Sequence, residues 1–285
     1  MKIYIMLALV MILTATYLPA AETVQQKNVA ESAKEEIGVN LDSFVGTWVL
    51  KDFLDTLQST KSPIKACKTA RAISNESEFV ISQSSGIYYL EVGYNFHEGT
   101  GLLYLRGPDA TADKDTYRLH GSSHTPAIGV DQLLKISGRI GKNTTELIWI
   151  SSEAKRNKFV RLGSPMSLGD SGKYLAELVL SGNYKDEKGR SFVFSGDHIK
   201  WPGKTDVMNY QMDTDCVFPS DSFMMLDKTN KVIRDKNDYP LRYGFDWKDN
   251  KLYIYEVEYK NGEEIAFLGK PIHILSPVQT AKSKM

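Results

Sequence analysis

Over long stretches between residues 42 and 277 the apolar side chains recur at every second position, a period that favours antiparallel β-structure over most alternatives. Tyr88, Leu90, Val92, Tyr94 and Phe96 alternate with Tyr89, Glu91, Gly93 and Asn95. Leu134, Ile136, Gly138 and Ile140 alternate with Lys135, Ser137 and Arg139, and Leu241, Tyr243, Phe245 and Trp247 alternate with Arg242, Gly244, Asp246 and Lys248. Successive side chains of a strand point to opposite faces, so each run predicts one face in a core and the other in water. Turn chemistry separates the runs at Glu187-Lys188-Gly189, Asp249-Asn250 and Asn261-Gly262. The last is the preferred two-residue hairpin pair, because both residue types tolerate a positive φ. Strands recurring about every ten residues predict an all-β sandwich or barrel rather than a helix-covered parallel sheet.

One helical island interrupts the pattern. Phe53, Leu54 and Leu57 share a helical face, and Ser62-Pro63 supplies an N-cap and a first-turn proline for a second helix carrying Ile64, Cys67 and Ala70. An internal echo divides the remainder. Glu146-Leu147-Ile148-Trp149-Ile150, followed by Phe159 to Pro165, is matched by Lys251-Leu252-Tyr253-Ile254-Tyr255 followed by Phe267 to Pro271. Gly46-Thr47-Trp48 and Gly182-Asn183-Tyr184 stand at comparable places ahead of them. The expected organisation is two tandem antiparallel lobes, 42–166 and 173–277, joined by a hinge at 167–172. The alternative is one large sheet.

The ends bear on address. Met1-Lys2, an apolar run from Ile3 to Leu13 and then Pro19-Ala20-Ala21 form the pattern of a secretory signal, here residues 1–21. The run is too short to span a bilayer, which takes about 20 residues. Residues 22–41 read as a polar leader and 278–285 as a disordered tail. Losing residues 1–21 removes one of 35 basic residues and none of 35 acidic ones, leaving a formal charge of −1. That balance gives nucleic acid and anionic membranes no electrostatic hold. The expected location is therefore periplasmic or extracellular, with no transmembrane span in the mature chain. Cys67 and Cys216 either pair there or remain two thiols; sequence leaves both open.

Phe44-Val45-Gly46-Thr47-Trp48 resembles the Gly-x-Trp opening of lipocalin-like (calycin) barrels, a resemblance limited to the first lobe. It implies a glycine that bends the first strand, a tryptophan that plugs the closed end and an arginine stacked on that ring. Arg161, on the last strand of the lobe, is the candidate for the third part. The chain departs from the family in its length, in the helices after the first strand, and in having Thr214-Asp215-Cys216 in the second lobe where a Thr-Asp-Tyr motif would belong in the first.

Gly169-Asp170-Ser171-Gly172 is similar to the nucleophile segment of chymotrypsin-like proteases, but Lys173 follows it and no histidine stands in that family's setting. A serine nucleophile requires a histidine base and an orienting carboxylate; a Gly/Asp/Ser hinge requires neither. His120 and His124 have the spacing of a helical zinc pair, but Gly121-Ser122-Ser123 and Pro126 argue for a loop. Asp213-x-Asp215 and Asp246-x-x-Asp249 lack the glycine and glutamate of a calcium loop. No cofactor or metal is expected.

Fifteen tyrosines suit cavities for amphipathic ligands or outer sheet faces equally. The leading expectation is an exported non-enzymatic protein with a small apolar or amphipathic ligand held in the first lobe by Tyr88, Tyr94, Phe96 and Trp149. Two alternatives stand beside it: a structural or interaction module of the cell envelope without a cavity, and a serine hydrolase using Ser171.

Overall fold

The computed structural model describes residues 42–73, 76–94, 98–99, 103–108, 116–121, 133–135, 146–150, 155–165, 171–203, 208–214, 216, 220–260, 263–265 and 269–278. Residues 1–41, on which the expected signal and leader fall, lie outside them, as do Phe96, His97 and His124. The chain runs through β1 (Gly46–Leu50), helices α1 (Lys51–Thr60) and α2 (Pro63–Ile73), β2 (Glu76–Ser84), β3 (Ile87–Tyr94), β4 (Glu98–Gly99), β5 (Leu103–Pro108), β6 (Thr116–Gly121), β7 (Leu133–Lys135), β8 (Glu146–Ile150) and β9 (Arg156–Gly163). Then follow α3 (Ser171–Leu180), β10 (Gly182–Lys185), β11 (Ser191–Ser195), β12 (His198–Lys200), β13 (Met208–Met212), β14 (Ser222–Leu226), β15 (Arg242–Lys248), β16 (Lys251–Glu256), β17 (Glu258–Lys260), β18 (Glu263–Ile265) and β19 (His273–Pro277). The fold is all-β with few, short helices. No helix among the described residues is long and apolar enough to cross a membrane.

Two compact units divide these elements: one holds residues 81–91 and 101–156, the other 46–80, 92–100 and 157–285. In the first, antiparallel pairing runs β3–β5–β6–β7–β8. Leu147 and Trp149 of β8 are buried while Glu146, Ile148 and Ile150 are half-buried, the alternation expected of a strand with one core face. His120, expected in a loop, is on β6.

In the second unit β1 is buried along its whole length and pairs with β9, Trp48 opposite Arg161 and Val49 opposite Val160. α1 buries Phe53 and Leu57, four residues apart on one face. α2 starts as its Ser-Pro pair foretells: Ser62 Oγ accepts from the Lys65 N–H at 3.2 Å, and Asp221 Oδ1 accepts from the Ile64 N–H at 2.8 Å. A disulfide joins Cys67 of α2 to Cys216. Beyond it, β10–β16 and β19 form a closed barrel of eight strands in which β10 pairs with both β11 and β19. The closed barrel thus lies in the second half of the chain, whereas the Gly-x-Trp resemblance points to the first.

Rings fill the barrel. Phe194, Tyr210 and Phe223 meet edge to face in all three combinations, with centroids 5.5–5.8 Å apart. Phe192 and Phe245 are equally buried, so in this barrel side chains occupy the lumen. One turn design recurs at its hairpins. Asp186, Asp227 and Asp235 each accept, through Oδ1, from the N–H groups two and four residues on. The fourth residue of each loop, Gly189, Asn230 or Asp238, has a φ of 74°, 62° or 67°. Asp249-Asn250 makes the sharper two-residue turn between β15 and β16, both residues at positive φ. Lys260 pairs with Glu263; Asn261 and Gly262 between them lie outside the described residues. Val278, placed by sequence in the tail, still donates its N–H to Asn183.

Candidate ligand site

Ser171 and Gly172, read from sequence as the end of a hinge, are instead the first residues of α3. The reason is burial: Leu175, Ala176, Val179 and Leu180 form one apolar face, and Ser171 and Gly172 are themselves buried. Ser171 Oγ donates to Glu78 Oε2 at 2.6 Å, which sets a buried carboxylate at the positive end of the helix. The opposite end is also closed. Lys61 Nζ donates to the Leu178 carbonyl at 2.5 Å, and Tyr184 Oη donates to the Leu180 carbonyl at 2.8 Å. Burial pushes the Tyr184 phenol up to about 12.

Lys173, Tyr174 and Glu177 lie on the exposed face of α3. Lys173 Nζ reaches Asp197 Oδ2 at 2.8 Å, tying the helix to the turn between β11 and β12. Burial works against the Asp197 carboxylate, but Lys173, a backbone N–H and His198 outweigh it and hold it below the usual carboxylate range. From there a polar chain continues: His198 Nδ1 meets Asn209 Oδ1 at 2.5 Å, and Asn209 Nδ2 donates to Asn230 Oδ1 at 2.6 Å.

Between the exposed face of α3 and the barrel lies a cleft of about 640 Å³, lined by Tyr174 and Glu177 on one side and Tyr210, Met212 and Leu226 on the other. Such a volume is in the ordinary range for small-molecule sites, roughly 300–1,000 Å³. Tyr210 is 2 % exposed, and its hydroxyl has no hydrogen-bond partner among the described residues. Burial, and then the charges of Tyr184, Asp197 and Glu177, raise its pKa well above that of an ordinary phenol. Tyr210 therefore stands in the cleft wall as a neutral phenol, able to donate and to accept.

Of the residues anticipated for ligand binding, the structure describes the side chains of Tyr88 and Trp149. Tyr88 is buried, its hydroxyl donating to Asp42 Oδ1 at 2.7 Å, and Trp149 is buried in β8. Tyr94 ends β3, with its side chain outside the described structure, and Phe96 lies outside altogether. Neither Tyr88 nor Trp149 is among the described residues that line the cleft. Trp48 is fully buried with the Arg161 guanidinium carbon 5.9 Å from its ring centroid, at the outer edge of cation–π range.

Ser171 has a carboxylate partner but no imidazole in contact among the described residues. The two histidines whose side chains are described are engaged elsewhere, His198 with Asn209 and His273 with Arg190. No group of three or more metal-binding side chains occurs among the described residues. Asp213, of the Asp213-x-Asp215 pair, accepts from Ser222 Oγ and from Arg242 Nη1, the latter in a largely buried ion pair of 2.7 Å. Sequence reasoning missed Lys173, Glu177, Asp197 and Tyr210. The signal for the first two was present in Leu175, Ala176, Val179 and Leu180, which repeat at helical spacing; the Gly-Asp-Ser-Gly segment drew attention to a hinge instead. Comparison of the chain with protein-family models, with curated proteins and with solved structures found no match.

Proposed function

We propose that this chain is an exported, non-enzymatic binding protein that takes a small amphipathic ligand in the cleft between α3 and the barrel, with a lipocalin-like barrel as its rigid support. One observation carries the reading: a cleft of about 640 Å³ is lined in part by Tyr210, whose buried hydroxyl has no hydrogen-bond partner among the described residues. An unpaired buried hydroxyl costs about 1–3 kcal/mol, a cost that a ligand filling the cleft would relieve. Met212 and Leu226 offer apolar contact, and Glu177 and Asn230 offer polar contact on the same walls. Export rests on the signal-like residues 1–21 and is consistent with a disulfide between Cys67 and Cys216.

The test is titration with N-phenyl-1-naphthylamine, whose emission rises in apolar sites. Saturable binding at one site is expected. It should be abolished by Gln211→Trp, which places a ring in the cleft from an exposed position and leaves the circular dichroism unchanged. The second reading, an interaction module with no small-molecule site, is favoured by the ring-filled lumen of the barrel. Linear, non-saturating fluorescence, identical in Gln211→Trp, would decide for it.

A further inference from the structure

The three charged groups on the described cleft walls, Lys173, Glu177 and Asp197, do not balance. Lys173 and Asp197 neutralise each other at 2.8 Å. Glu177, one helical turn beyond Lys173, forms no ion pair among the described residues. The positive end of α3, the usual attraction for an anion, is already met by the Glu78 carboxylate at Ser171. An anionic head entering the cleft would therefore find, among the described residues, one surplus negative charge and no free positive group on its walls. A cationic head would find Glu177 as counter-ion, the Tyr210 phenol as a hydrogen-bond partner, and the half-exposed ring of Tyr174 on the same wall.

Resting on the reading that the cleft is a ligand site, we infer that its ligand is an amine-headed amphiphile. The ammonium group sits between the Glu177 carboxylate and the Tyr210 hydroxyl, and the chain lies over Met212 and Leu226. The ammonium N–H groups donate to the phenol oxygen and to the carboxylate. A hydroxyl on the carbon beside the amine-bearing carbon, as in an amino alcohol, would in turn accept a hydrogen bond from the phenol O–H.

Four probes of equal chain length separate the possibilities: octylamine, 2-amino-1-octanol, 1-octanol and octanoate, each titrated calorimetrically into the full mature chain. Both amines should bind at least about tenfold more tightly than octanol or octanoate, as expected of one charge-assisted contact. Glu177→Gln should erase that preference, and Glu177→Lys should turn it toward octanoate; both changes are on an exposed helix face. Tyr210→Phe should weaken amine binding about threefold to tenfold without lowering the melting temperature of the free protein, because the hydroxyl it removes has no partner there. A tyrosine with a purely structural role would give the opposite pair of results. Octanol binding as well as octylamine, with Glu177→Gln indistinguishable from wild type, overturns the cationic inference and leaves the binding reading in place. A preference for octanoate in wild type does the same. No saturable binding of any probe removes both.

Discussion

At Gly46 a methyl group has nowhere to go. A Cβ there would lie 2.6 Å from the Gly163 carbonyl oxygen and 2.7 Å from Arg161 Nε. At Gly182 the same substitution would meet the ring of Tyr184 at 2.9–3.1 Å. Each glycine opens a strand two residues before a fully or nearly buried aromatic, Trp48 or Tyr184. The close approach explains why glycine stands at both positions, and it made this part of the fold legible: Gly-x-Trp and Gly-x-Tyr were visible in sequence as a pair. Trp48 is the larger commitment. Its ring is wholly buried under Arg161, so Trp48→Ala should cost about 3–5 kcal/mol in urea unfolding, as deletions of large buried rings do. Arg161→Gln should cost much less, about 0.5–1 kcal/mol for a cation–π contact at the margin of its range. A Trp48→Ala loss below about 1 kcal/mol would show that the ring is not part of the core.

Among the elements, α2 shows how a helix start is assembled from distant sequence. Ser62 and Pro63 announce it locally, but the Ile64 N–H is satisfied by Asp221, 157 residues away. Burial raises the Asp221 pKa, only partly offset by hydrogen bonds from Ser62 and Ile64 and by Lys65, while Asp246 pushes it further up. A carboxyl whose folded pKa is raised contributes most stability below its unfolded value of about 3.9 and loses it as pH rises through the folded pKa. Asp221→Asn keeps an oxygen for the Ile64 N–H and removes the half-buried charge. It should match or exceed wild type in stability at pH 7, with the difference vanishing as pH falls toward 4. Asp221→Ala removes the cap and should lose about 1–2 kcal/mol at pH 7. Urea midpoints of the three proteins across pH 4 to 7 give the comparison; an Asn variant as unstable as the Ala variant would mean that the charge, not the acceptor, holds the helix. α3 teaches the complementary lesson. Its helical spacing was in the sequence, but its partners Glu78, Asp197 and Lys61 are 93, 24 and 117 residues from the atoms they meet. A pattern read locally finds strands by their period and turns by their glycines and asparagines. It cannot say which exposed helix face will line a cleft.

Within the unit built on the closed barrel, covalent and polar links of long sequence separation converge on the α1–α2 pair. Lys61 reaches α3, Asp221 caps α2, and the Cys67–Cys216 bond closes 149 residues of chain. Sequence left the two cysteines open between a bond and two thiols, because spacing carries no information about distance in the fold. Once closed, so long a loop restricts the unfolded chain strongly. The chain-entropy account puts the effect near 5 kcal/mol for loops of this size, and removal of native disulfides typically costs 2–5 kcal/mol. Reduction should therefore lower the stability of this unit by about 2–5 kcal/mol, an effect of the same order as Trp48→Ala. Paired variants separate the bond from the packing of the two sulfur atoms. Cys67→Ala with Cys216→Ala should resemble the reduced wild type and no longer respond to reductant. Chemical unfolding of oxidised, reduced and double-variant protein measures all three states. Equal midpoints with and without reductant would mean that the α1–α2 pair is held to the barrel by Asp221 and Lys61 alone, and that the bond contributes nothing to holding the fold together.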